Sequence, residues 1–113
     1  MPKVRLNNWA REVNRRAGRD YFQWRVFVDE PPEIIQRIAD VEYRLHPTFP
    51  QPVQVRRDRT TLFALDSQGW GEFTIEATVH FVDGREETVG YWLDFGKQWP
   101  KDVPPPPVGR TFA

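Results

Sequence analysis

The chain has 113 residues, 39% of them hydrophobic and 14% aromatic, which suits a single domain with one core filled largely by rings. Sixteen basic residues balance sixteen acidic ones, so net charge gives no argument for bulk binding to nucleic acid or to a membrane surface. No Cys is present, which excludes disulfides, thiol nucleophiles, Cys-based zinc sites and iron–sulfur clusters.

In chain order, the dominant signal is alternation with period two, the mark of half-buried strands. Over 3–13, Val4 and Leu6 are in phase. YFQWRVFVD (21–29) puts Phe22, Trp24, Val26 and Val28 on one face. PPEIIQRI (31–38) has room for one helical turn after its proline pair. ADVEYRLH (39–46) brings Val41, Tyr43 and Leu45 inward, and 53–58 and 60–66 read as two short strands around a charged turn. In EFTIEATVHF (72–81), Phe73, Ile75, Ala77, Val79 and Phe81 share a face; Asp83-Gly84 then marks a hairpin, and Val89, Tyr91, Leu93 and Phe95 return inward.

Short strands separated by turn signals predict an all-β fold, an Ig-like antiparallel β-sandwich of about 7–8 strands. We assign residues 1–98 to this domain and 99–113 to a Pro-rich tail, either a linker or a docked extended segment. Pro104 to Pro107 favour polyproline II and cannot donate to a central ladder.

Little points to catalysis or to a metal. His46 and His80 are the only histidines, and no two-His ligand spacing, phosphate-binding glycine loop or nucleophile elbow is present. A non-enzymatic protein without cofactor or metal is therefore expected. The Arg clusters at 11–19 and 56–59 read as solvated charged edges, since no aromatic residues interleave with RRDR for base stacking. The opening MPKVRLNNWAREV lacks an apolar signal-peptide core, and no apolar run reaches the roughly 20 residues that span a bilayer. A cytoplasmic location is expected, or a nuclear one in a eukaryote, with no membrane insertion.

Two stretches stand apart: YRLHPTFP (43–50) and SQGWGEF (67–73), where Phe49 and Trp70 occupy strand ends. Pro47 stops its ladder, and Gly69 and Gly71 flank Trp70, permitting unusual backbone angles or a close approach and leaving main-chain N–H groups unobstructed. From pattern alone, the two rings either cap the sandwich or wall a pocket.

The order FQWRVFV (22–28), VEYRLHPTF (41–49), QGWGEF (68–73) resembles the YEATS domain, an acyl-lysine reader of eukaryotic chromatin proteins. VEYRLHPTF is similar to that family's Leu-His-x-(Ser/Thr)-(Phe/Tyr) signature, and QGWGEF to its Gly-(Trp/Tyr)-x-x-Phe loop; Phe22 stands where the family has a His. The resemblance implies an acetylated or crotonylated lysine entering between Phe49 and Trp70. It further implies that Thr48 bonds the amide, that His46 orients Thr48, and that an N–H at Trp70 or Gly71 meets the acyl carbonyl. Gly69 would make the turn, and Tyr21 would stand at the pocket edge. The sequence looks like a prokaryotic relative, whose partner would be an acylated lysine-containing peptide or protein, with other domains of a longer parent chain alongside. The alternative is a structural or protein-interaction domain, part of a prokaryotic defence or signalling protein, that binds no acyl-lysine.

Overall fold

The computed structural model describes residues 3–16 and 19–106, with side chains omitted for 14–16 and 19–20. The strands are β1 (Leu6–Arg16), β2 (Arg19–Val28), β3 (Ile38–Arg44), β4 (Val53–Arg56), β5 (Leu65–Gly69), β6 (Thr74–Phe81) and β7 (Glu86–Trp92). A single helical turn, α1 (Pro32–Ile35), begins on proline, whose fixed φ suits a first turn. Sheet I has the order β1-β2-β5 and sheet II the order β4-β3-β6-β7, with every strand pair antiparallel.

The predicted alternation holds on both inner faces. Trp24, Val26, Val28, Val41, Tyr43, Ile75, Ala77, Val79 and Leu93 are all fully buried. Each large aliphatic member contributes roughly 1.5–3 kcal/mol by leaving water. In β1 the inward phase runs Val4, Leu6, Asn8, Ala10, so one core position is polar. Its amide is held at both ends: Asn8 Nδ2 donates to Asp94 O, while Asn8 Oδ1 accepts from Tyr91 Oη and from Asp94 N.

One expected strand is corrected. Residues 60–66 do not form one; Arg59–Thr61 make a 3-10 turn and the strand starts at Leu65. Asp58 caps this turn by accepting from Thr60 N, which holds the backbone in a tight curl. Leu62 and Phe63 then take left-handed φ values of 60° and 59°, costly for non-glycine residues. The strain is offset because this pair swings Phe63 into the core, fully buried, with Phe63 N bonded to Asp58 O and Phe63 O accepting from Tyr43 Oη at 2.7 Å.

Burial holds the Tyr43 phenol well above its ordinary value near 10, with Arg56 pulling weakly the other way. Burial, aided by the Asp94 charge, pushes Tyr91 up to about 12. A tyrosine whose folded pKa is raised contributes stability below its unfolded pKa of about 10 and loses it above. We therefore expect denaturant midpoints to be flat up to about pH 9 and to fall above about pH 10, less steeply in Tyr43→Phe; an identical alkaline slope in that variant would contradict this assignment.

His80 lies on the outer face of sheet II between Asp40 (2.6 Å) and Glu86 (3.4 Å). The hydrogen bond to Asp40 holds its pKa above 6.5.

The described part of the C-terminal segment is docked. Ala10 N donates to Lys97 O at 2.7 Å and Trp99 N to Ala10 O at 2.9 Å, adding a short parallel bridge to the edge of β1. Trp99, only 5% exposed, then lies on the outer face of sheet I. Its ring meets Trp9 edge-on at 5.8 Å and lies 5.2 Å from the Arg25 guanidinium, itself fixed by Asp66 at 2.6 and 3.1 Å. Trp99 Nε1 donates to Val103 O and Gln23 Nε2 to Pro106 O. No strand occurs over 100–106, while Pro107 and the residues after it, like the Ala17–Gly18 tip, fall outside the described residues.

Candidate functional site

The two unusual stretches become two loops at one end of the sandwich. The first joins β3 to β4 within sheet II. Leu45 N donates to Pro52 O at 2.7 Å and closes its base, and Phe49 N donates to His46 O at 3.0 Å and closes the turn. The second carries the chain from β5 in sheet I to β6 in sheet II. Gly69 still pairs with Phe22 of β2, Leu93 N donates to Phe73 O at 3.0 Å, and the Glu72 carboxylate accepts from Phe95 N at 2.7 Å.

Between these loops lies an open cleft of about 420 Å³. Tyr21, His46, Thr48, Phe49, Gly69, Trp70 and Gly71 all line it, so the seven predicted positions share one surface. Pro50, Gln68, Glu72 and Phe73 complete it. Phe73, read from sequence both as an inward residue and as the last residue of the Gly-(Trp/Tyr)-x-x-Phe loop, has its ring 5.4 Å from Phe49, 6.2 Å from His46 and 6.1 Å from Trp24. As the closing residue of GWGEF and the first inward residue of its strand, Phe73 belongs to both patterns.

The two rings at the heart of the question differ in setting. Phe49 is partly buried and packs edge-on against Trp24 at 6.3 Å, so it seals the core while presenting a surface to the cleft. Trp70 is 56% exposed and lies outside the core cluster.

The His46–Thr48 pair has a readable polarity. Thr48 N points its hydrogen at His46 Nδ1 at 3.3 Å, and a backbone N–H can only donate, so Nδ1 is the acceptor. Thr48 Oγ1 lies 2.9 Å from the same nitrogen. With the His46 proton on Nε2, the hydroxyl donates to Nδ1 and its lone pairs are available to accept from a third group.

Neither torsion nor crowding demands glycine at positions 69 and 71. Among the described residues Gly84 is the one glycine with positive φ, so neither Gly69 nor Gly71 needs the left-handed region that the sequence suggested. A Cβ on Gly69 would approach the tip of the Phe49 ring at 3.9 Å, and one on Gly71 would meet nothing within 4 Å. Gly71 N has no hydrogen-bond partner among the described residues. Those residues also hold no cluster of three or more His, Cys, Asp or Glu suited to a metal, and no helix long and apolar enough to cross a membrane.

A two-sheet Ig-like sandwich with an aromatic cleft between its end loops defines the class. A profile of the prokaryotic YEATS domain matches residues 22–94, and the chain belongs to that family. The AF-9 homolog of Eremothecium gossypii is 42% identical over 66 residues, covering 57% of this chain; the match spans only 31% of that longer protein. The Yaf9 YEATS domain recognizing an H3K122suc peptide superposes with a TM-score of 0.65 and 26% identity, covering 84% of this chain and 78% of the other. The Yaf9 YEATS domain bound to H3K27ac gives 0.63 and 26%, covering 84% and 77%.

Proposed function

We propose that this protein is a non-enzymatic binding module that takes an acylated lysine of a peptide or protein into the cleft, and that it works in the cytoplasm. The observation that carries the reading is the cleft itself, in which an exposed Trp70, the ring of Phe49 and the oriented Thr48 hydroxyl face one space of about 420 Å³. The chemistry suits a secondary amide. Its planar face stacks on aromatic rings and its alkyl tip buries apolar area. Acylation removes the ammonium charge, whose desolvation would forbid entry to such a slot. Thr48 Oγ1, already donating to His46, accepts the amide N–H, and Gly71 N–H is available for the acyl carbonyl. The two Yaf9 YEATS structures, with succinylated and acetylated histone peptides, support the same class of ligand.

The packing of Phe49 onto Trp24 and Phe73 favours a second reading, a structural or interaction domain whose loop rings merely close the sandwich. The exposure of Trp70 argues against it. Titrating acetylated, crotonylated and unmodified lysine peptides into labelled protein separates the two. Acylated peptides are expected to shift the amide signals of Thr48, Phe49 and Gly69 to Gly71, and unmodified peptide to leave them in place. Crotonyl is expected to bind at least as well as acetyl. Thr48→Val keeps the shape and removes one hydrogen bond of about 1 kcal/mol, so affinity should fall about fivefold. Silence at these amides with every acylated peptide refutes the reader.

A further inference from the structure

Two buried side-chain polar atoms have no hydrogen-bond partner among the described residues: Trp24 Nε1 and Ser67 Oγ. They are not scattered. Trp24 of β2 and Ser67 of β5 stand directly opposite each other in the ladder of sheet I. Trp24 is fully buried in the core, and Ser67, 8% exposed, is in phase with the buried Leu65 on the same inner face. The buried side chains of Asn8, Gln23 and Gln54, by contrast, all have partners. Leaving both atoms unpaired would raise the unfolding constant by about 5- to 150-fold for each.

We infer that one buried water sits between β2 and β5, hydrogen-bonded to Trp24 Nε1 and to Ser67 Oγ. The chemistry fits a bridging water better than a direct bond. Opposite residues of an antiparallel pair have Cβ atoms about 4.5–5.5 Å apart, and the indole N–H projects well beyond its own Cβ. A single water spans such a gap, accepting from the donor-only indole and donating to the hydroxyl. A domain of this size ordinarily holds about four buried waters, so a polar pair at its centre is a natural place for one.

The site has a consequence for the cleft, whatever the cleft binds. Trp24 backs the cleft by meeting Phe49 edge-on at 6.3 Å and Phe73 at 6.1 Å. A water on Nε1 holds the indole in place, and Ser67 becomes a positioning residue that acts through Trp24.

The test uses the whole chain. The Trp24 indole proton, assigned by its loss in Trp24→Phe, should show cross-relaxation with a long-lived water. Ser67→Ala should abolish that signal and raise the unfolding constant by about 5- to 150-fold, and Ser67→Thr, which keeps the hydroxyl, should restore the signal. A wild-type indole proton without water cross-relaxation overturns the inference, and so does a Ser67→Ala protein as stable as the wild type or more so. If Ser67→Ala fails to fold, the wild-type signal decides alone.

Discussion

Trp70→Ala is expected to lower affinity for an acyl-lysine peptide by about 5- to 150-fold, or about 1–3 kcal/mol, while the domain stays folded. The two halves of that statement have separate grounds. Binding falls because one wall of the cleft is gone, with its stacking surface and its apolar area. Folding survives because Trp70 is 56% exposed and lies outside the core cluster. Phe49→Ala provides the contrast, since that ring packs on Trp24 and Phe73 and should lose stability together with binding. Isothermal titration beside a denaturation curve distinguishes the cases. If Trp70→Ala unfolds the domain, or binds acyl peptide as the wild type does, Trp70 is no wall of a binding site.

Trp99→Ala should destabilise the domain by about 3 kcal/mol, the scale for truncating a buried Trp. For a domain of about 100 residues this lowers Tm by roughly 12 °C or more. Trp99 sits outside the strands, yet it is 5% exposed, faces Trp9 and carries Arg25 over its ring. Trp92 supplies an internal control. It is the same residue type, 56% exposed on β7, and its replacement by Ala should change stability by no more than about 0.5 kcal/mol. Equal thermal stability of the wild type and Trp99→Ala would mean that the segment from Lys97 to Pro106 merely rests on sheet I.

Much of this architecture was legible because one face of each strand is wet. A period-two pattern needs a buried side and a solvated side, and β3 and β6 have both, so Val41 and Ile75 announce themselves. The reading weakens where a second layer covers the outer face. Gln23 and Phe27 point away from the core and are still buried; Gln23 is bonded to Pro106, and Phe27 packs on Trp9 at 4.9 Å. No local pattern encodes a cover such as Pro106, 83 residues beyond Gln23. The turn before β5 failed for another reason: Leu62 and Phe63 carry strand-like side chains on a left-handed backbone, and tertiary burial of Phe63 outweighs the local preference. The cleft was legible in its loop residues, Phe73 among them, because it closes the GWGEF pattern just before β6 begins.

The cleft draws its walls from both sheets. Its His46–Pro50 side hangs from sheet II, whereas the side bearing Trp70 leaves sheet I at Gly69 before it joins β6. The aperture is therefore a caliper on the spacing of the sandwich, and it exists only once the two layers have closed. No isolated hairpin or half-sandwich can present it. Any ligand that fits it binds the closed form alone and must raise the global unfolding free energy by mass action, with a melting temperature that climbs as ligand is added. By the same coupling, a conservative swap deep between the layers, at Val26 or Leu65 for instance, would register at the cleft mouth as a change in affinity, although it touches no residue of the lining.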